Sequence, residues 1–84
     1  MRFRGKVQGV HFRNYTRRFA IKMSVMGWVK NMPDGSVEAV FEGKEVDIKE
    51  VIRLLSEEHP YARVEHVDAS WSPCKDEFSR FDIR

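Results

Sequence analysis

Apolar residues recur with two different periods along this chain, and those periods predict its elements. From Met1 to Val7 every second residue is apolar or glycine, as in a strand with one buried face. Three- and four-residue spacing predicts two helices, from Phe12 to about Val25 and from Asp47 to about Glu58. Four further segments are predicted as strands: Gly27 to Met32, Ser36 to Glu42, Arg63 to Trp71 and Phe81 to Ile83.

Local signals between these segments add detail. Pro33-Asp34-Gly35 places proline and glycine where a tight turn needs them, so it predicts a hairpin. The apolar phase slips between Val64 and Val67, which indicates a bulge or a change of face. Asp47 and Glu50 have the spacing of a capping box at the start of the second helix.

The order of elements is strand, helix, strand, strand, helix, strand, with a short final strand. Two strand–helix–strand crossovers joined by a hairpin predict an α+β, ferredoxin-like sandwich, in which two helices cover one face of an antiparallel sheet. The prediction makes residues 1–84 a single domain. This fold carries many functions, so it does not decide the activity.

Composition excludes several classes of protein. The chain has 84 residues, 42% of them hydrophobic and 33% charged, as expected of a globular domain. One cysteine excludes an internal disulfide, and no apolar run predicts a membrane span or signal sequence. We therefore expect a cytoplasmic monomer. The net charge of +2 is too small to imply a nucleic acid partner.

The segment from Gly5 to Arg13 is the first candidate site. It predicts a strand end, a glycine-containing loop and the first turn of a helix, an order that points main-chain N–H groups toward an anion. The guanidinium of Arg13 presents a planar fork of donors that matches phosphate oxygens. The alternative is an ordinary turn with a surface arginine.

Asn31 is the second candidate, because asparagine is disfavoured inside a strand. Alternation places it on the face of Val29, near the rim, where it can converge with Arg13. The alternative is that its side chain satisfies the turn at Pro33–Gly35.

Two other possibilities are rejected. Cys74 and Arg80 have the spacing of a phosphatase loop, but the residues between them are large and include two carboxylates that would repel phosphate. His11, His59 and His66 are scattered, so they predict no metal site.

Two long segments then show a family resemblance. Gly-Lys-Val-Gln-Gly-Val-His-Phe-Arg at Gly5–Arg13 and Gly-Trp-Val-Lys-Asn-Met-Pro-Asp-Gly-Ser-Val-Glu at Gly27–Glu38 resemble the two signature segments of the acylphosphatases. Pro60–Val64 and the ending Phe81–Arg84 are similar to the fourth strand and C-terminus of that family. The resemblance covers essentially the whole chain.

The resemblance implies a ferredoxin-like fold and hydrolysis of small acyl phosphates to a carboxylate and inorganic phosphate, without metal or cofactor. It implies that Arg13 binds the phosphate and that Asn31 orients the attacking water. The partners would be the small substrate and phosphate, not nucleic acid or membrane. Phosphate-binding amides are expected along the loop at Gln8, Gly9, Val10, His11, Phe12 and Arg13.

Some features depart from the family pattern. The chain begins later than is usual, so we expect a shortened first strand. Ser24 replaces a common glycine and would resist a left-handed helix cap, so we expect a different connection there. His11 occupies a variable position and is given no role of its own.

Two other functions remain as alternatives. One is a non-catalytic phosphate or metabolite sensor on the same scaffold. The other is RNA binding through the open sheet face, which Glu38 and Glu42 disfavour.

Overall fold

The computed structural model describes residues 1–9, 11–60, 62–72 and 76–84. Val10 of the candidate loop and Cys74 of the rejected phosphatase motif lie outside the described residues. The described elements are β1 (Arg2–Lys6), α1 (Phe12–Lys22), β2 (Met26–Asn31), β3 (Val37–Glu42), α2 (Glu45–Glu57), β4 (Arg63–Asp68) and β5 (Phe81–Ile83).

The strands form one sheet in the order β4-β1-β3-β2-β5. The four longer strands pair antiparallel with their neighbours, whereas β5 pairs parallel with β2. The predicted ferredoxin-like α+β fold is confirmed, and the sheet is mixed rather than wholly antiparallel because of β5. β3 separates β1 from β2, so residues at the ends of β1 and β2 meet across it.

The core lies between the helices and one face of the sheet. Phe3 of β1 packs against Phe12 of α1 with ring centroids 5.3 Å apart, which joins the two layers. Burial alternates along β3 as in a strand with one covered face, since Val37 and Ala39 are fully buried and Glu38 between them is partly exposed. The buried apolar residues are Phe3, Val7, Phe12, Ala20, Val25, Val29, Val37, Ala39, Ile48, Val51, Leu55 and Phe81.

A bulge interrupts the pairing of β1 with β4. Arg4 pairs with His66 and Gly5 with Val64, so Glu65 is skipped, which confirms the irregularity predicted between Val64 and Val67. Gly5 has φ 126°, and a Cβ there would lie 2.2 Å from the Arg63 carbonyl oxygen. Only glycine allows the strands to approach so closely just before the candidate loop.

The C-terminus of α1 corrects the expectation for Ser24. Ser24 adopts φ 57°, the left-handed conformation that it was expected to resist. Its N–H donates to the Ile21 carbonyl at 3.1 Å, and the Val25 N–H donates to the Ala20 carbonyl at 2.8 Å. These two bonds form a Schellman motif, and they hold Ser24 in place against its steric preference.

The N-terminus of α2 differs from the predicted capping box. The helix begins at Glu45, and the preceding Lys44 makes no side-chain cap hydrogen bond. Asp47 therefore lies inside the first turn, and Glu50 accepts hydrogen bonds from Arg53 instead of reaching back to a cap. The carboxylate of Asp47 is favoured by the positive end of the helix dipole. Glu50 lies on the solvated side of the helix, where it pairs with Arg53.

Both helices are short. α1 has 11 residues and α2 has 13, and no helix in the described part of the chain is long and apolar enough to cross a membrane. α1 ends three residues before the predicted Val25, and β4 ends at Asp68 rather than at Trp71.

Replacing Ser24 with glycine should stabilise the protein. A non-glycine residue in the left-handed region costs about 1–2 kcal/mol, part of which glycine loses again through its greater freedom in the unfolded chain. We expect Ser24→Gly to raise the free energy of unfolding by about 1 kcal/mol, measured by urea denaturation. Ser24→Ala keeps the Cβ and should give no such gain; equal stabilisation by both variants would contradict this account.

Candidate active site

The loop between β1 and α1 bends through left-handed backbone conformations. Val7 is buried and anchors the loop to the core, Gly9 has φ 73°, and His11 has φ 59° and ψ 27° at the N-cap of α1. A Cβ at Gly9 would meet no atom within 4 Å, so the backbone angle and not crowding favours glycine.

The first turn of α1 carries unsatisfied donors. The His11 carbonyl accepts the first helical bond, from the Tyr15 N–H at 3.0 Å, while the His11 side chain caps no N–H. The amides of the first turn have no partner within the helix, and the turn has no acidic residue. A helix start of this kind favours an anion.

A cavity of about 230 Å³ lies at this helix start. It is lined by Val7, Gly9, His11, Phe12, Arg13, Asn14, Asn31 and Ile83. Arg13, in the first turn of α1, and Asn31, at the end of β2, thus line one concave site. The volume is below the usual range for drug-sized ligands, so the cavity suits a small one.

Arg13 is half-buried, and one of its terminal nitrogens donates to the Arg84 main-chain oxygen at 3.3 Å. One turn later, Arg17 Nε donates to the Phe81 carbonyl at 3.2 Å. The sequence pattern did not indicate this contact, which joins residues 64 positions apart in the chain. Arg17 thus bonds to β5 and Arg13 to the residue that follows β5, and Ile83 of that strand lines the cavity.

Asn31 ends β2, where it pairs with Val37 of β3. Its side chain is exposed, and within the described residues its carboxamide makes no hydrogen bond. The turn that it was alternatively expected to satisfy is closed by Asp34, whose Oδ1 accepts the Ser36 N–H at 3.0 Å and the Ser36 hydroxyl. The carboxamide of Asn31 is therefore available to the cavity.

Gln8 does not line the cavity. Its Nε2 donates to the carbonyls of Met32 and Ser36, both at 2.8 Å, on the β2–β3 hairpin. Its proposed contact with phosphate is limited to the main chain. The sequence motif pointed to this residue but did not indicate that its side chain would face the hairpin.

Three lining residues were missed by sequence reasoning. Asn14 follows Arg13 in the first turn of α1, and its position next to the motif was a usable signal. Val7 lay within the candidate segment but was not among the expected phosphate-binding residues, and Ile83 was assigned only to the closing strand. No local pattern places Ile83 near residue 13, because their proximity depends on the parallel pairing of β5 with β2.

Hydrogen bonds and nearby positive charges stabilise the ionised carboxyl group of Asp34, in the hairpin turn beside Asn31. The Ser36 hydroxyl and then the Ser36 N–H donate to Asp34, and with the nearby charges of Arg4 and Arg2 they lower the pKa of that carboxyl from 3.8 to about 2. Arg4 lies 3.4 Å and Arg2 3.6 Å from Asp34 Oδ2. The turn is thus linked to the first strand.

Comparison with known proteins decides the family. The model of the Acylphosphatase family matches residues 1–83. The chain belongs to the acylphosphatase family. An acylphosphatase from Rubrobacter xylanophilus is 46% identical over 80 residues, which cover 95% of this chain and 73% of the relative. Another, from Thermoplasma volcanium, is 43% identical over 84 residues, covering 100% of this chain and 92% of the relative.

Solved structures agree with this family assignment. The crystal structure of acylphosphatase from Bacillus subtilis superposes with a TM-score of 0.92 at 32% identity, over 99% of this chain and 92% of the other. The same fold matches T. kodakarensis HypF with a TM-score of 0.85 at 32% identity, over 99% of this chain but only 11% of that protein. The resemblance to the acylphosphatases seen in the sequence motifs is confirmed, including the enzyme class.

The depressed pKa of Asp34 predicts a pH dependence of stability. A carboxyl whose folded pKa lies near 2 and whose ordinary value is 3.8 stabilises the fold above 3.8, and loses that contribution as the pH falls toward 2. We expect Asp34→Ala to unfold more easily in urea at neutral pH and to lack this part of the acid sensitivity.

Asp34→Asn is the matched control. Its amide oxygen can still accept from Ser36 but cannot titrate, so it should be more stable than Asp34→Ala and equally free of this pH effect. An unchanged slope of stability against pH in both variants would show that Asp34 does not contribute it.

Proposed function

We propose that the cavity at the start of α1 hydrolyses the carboxyl–phosphate bond of small acyl phosphates. Water attacks phosphorus, the bond from phosphorus to the carboxyl oxygen breaks, and a carboxylate and inorganic phosphate leave. The observation that carries this proposal is the placement of Arg13 and Asn31 in one small cavity beside uncapped helix amides.

In this proposal the loop and Arg13 hold the phosphoryl group. The transition state of phosphoryl transfer spreads negative charge over three oxygens, so fixed donors aimed at those oxygens stabilise it. The main chain from Gln8 to Arg13 would supply N–H groups, including those of Gly9, Val10, His11 and Phe12. The contact of Arg13 with Arg84 uses one terminal nitrogen and leaves the other guanidinium donors for the anion.

Asn31 would orient the attacking water. Its carboxamide oxygen can accept a hydrogen bond from the water, while its NH2 group donates elsewhere in the site. The absence of a hydrogen bond to its carboxamide within the described residues, and its place in the cavity lining, support this role. Holding water in line with the leaving group supplies much of the rate, because orientation replaces a bimolecular encounter.

The departure of the leaving group needs little further catalysis. A carboxylate is a good leaving group, so the reaction needs neither a strong general base nor a strong general acid. The positive charge that a metal could supply comes in this proposal from Arg13 and the helix start. The monomeric state and the cytoplasmic location both remain predictions from the sequence.

The direct test is hydrolysis of benzoyl phosphate by the purified protein, with and without a chelator, beside Arg13→Ala. We expect native turnover to be insensitive to the chelator and Arg13→Ala to lower it by about a thousandfold, as for other arginines that stabilise phosphoryl transfer. Arg13→Lys should also be strongly impaired, because an ammonium lacks the planar fork.

Arg17→Ala is the matched control for Arg13. Arg17 makes a similar contact with β5 but does not line the cavity, so its loss should leave turnover largely intact. Near-normal activity of Arg13→Ala, or equal losses in both variants, would contradict the proposed role. A protein that binds phosphate without turnover would instead be the non-catalytic binding module.

Asn31→Ala should separate turnover from binding. Because the proposed role of Asn31 concerns water and not phosphate, we expect kcat to fall on the order of 100- to 1000-fold. Inhibition by inorganic phosphate, measured in the same assay or by calorimetry, should remain nearly native. A parallel loss of phosphate affinity would instead make Asn31 a phosphate ligand.

A further inference from the structure

We infer that Gln8 is a positioning residue: its side chain fixes the phosphate loop against the hairpin that carries Asn31. This inference rests on the proposed function, because it concerns the distance between the two halves of that site. Gln8 lies between Val7 and Gly9, which both line the cavity. Its contacts on the hairpin, Met32 and Ser36, directly follow Asn31 and directly precede its partner Val37.

The chemistry of the contact leaves one orientation of the amide. Both partners are carbonyl oxygens, which accept and cannot donate, so the NH2 end of Gln8 must face them. An NH2 group has two protons, and the two bonds of 2.8 Å use both of them. The same carbonyls also accept the hairpin's own bonds, from Gly35 N–H at 3.2 Å and Met32 N–H at 2.8 Å.

The sheet itself does not make this connection. β1 pairs with β3 only at Arg2 and Phe3, and its later residues pair with β4 across the bulge. β2, which carries Asn31, is not a neighbour of β1 at all. Within the described chain, Gln8 is therefore the residue that hydrogen-bonds the loop to the base of the hairpin next to Asn31.

This connection has a specific consequence for the reaction. In the proposed reaction the loop holds the phosphoryl group and Asn31 holds the attacking water. The two hydrogen bonds of the Gln8 side chain would therefore set the distance between phosphorus and that water. A misplacement of about 1 Å can cost about 100-fold in rate even when each half of a site is intact. Loss of these two hydrogen bonds should thus lower kcat more than it weakens phosphate binding.

The experiment compares Gln8→Ala and Gln8→Glu with the native enzyme. We expect Gln8→Ala to lower kcat by about 10- to 100-fold, while KM and inhibition by phosphate change little. Ser36→Ala is the control, because it removes the hydroxyl bond to Asp34 and destabilises the hairpin but keeps the carbonyl that Gln8 uses. Its kcat should stay near native.

Gln8→Glu provides a signature that a general loss of stability would not produce. A carboxylate cannot donate to the two carbonyls, but the protonated acid can donate one bond. Its activity relative to native enzyme at the same pH should therefore rise as the pH falls from about 7 to about 5. This arm also tests the inference if Gln8→Ala fails to fold.

Three results would overturn the positioning role: native kcat in Gln8→Ala, equal kcat losses in Gln8→Ala and Ser36→Ala, or a ratio of Gln8→Glu to native activity that does not change with pH. Inactivity of the native protein would overturn the proposed function and this inference with it. An active native enzyme with an unaffected Gln8→Ala variant would overturn this inference alone.

Discussion

Main-chain N–H groups at the first turn of α1 have no helical partner, and the conformation of the preceding loop keeps them available. Gly9 and His11 both take left-handed angles there, and the His11 side chain caps none of these donors. A helix start without side-chain caps offers its N–H groups to an external acceptor, and a small anion suits them well. The other parts of the site act on an anion that this turn is suited to hold.

The sheet supplies the second half of the site by its strand order. β3 lies between β1 and β2, so the loop after β1 and the end of β2 face each other across one strand. That strand order brings Asn31 to the cavity. Side-chain hydrogen bonds then connect the loop and the hairpin across it. Gln8 supplies one connection, and the arginines of α1 supply another by holding β5 and Ile83.

Errors of sequence reasoning have a common physical origin. Ser24 was expected to avoid a left-handed cap, yet two main-chain hydrogen bonds of the Schellman motif hold it there. Asp47 and Glu50 matched a capping box, but α2 begins two residues earlier, at Glu45. In each case a local preference of about 0.5–2 kcal/mol was outweighed by bonds and packing that the spacing of residues does not encode.

What the sequence by itself determined is local in nature. Periodicity identified the helices and strands, the Pro33–Gly35 signal identified the hairpin, and the loop motif singled out Arg13 and the residues before it. Each of these depends on interactions within a few residues, so it leaves a readable pattern. The tertiary structure alone decided the direction of β5, the contact of Arg13 with Arg84 and the partners of the Gln8 side chain. Those contacts join residues far apart in the chain, and they form only when the packed sheet and helices bring them within hydrogen-bonding distance.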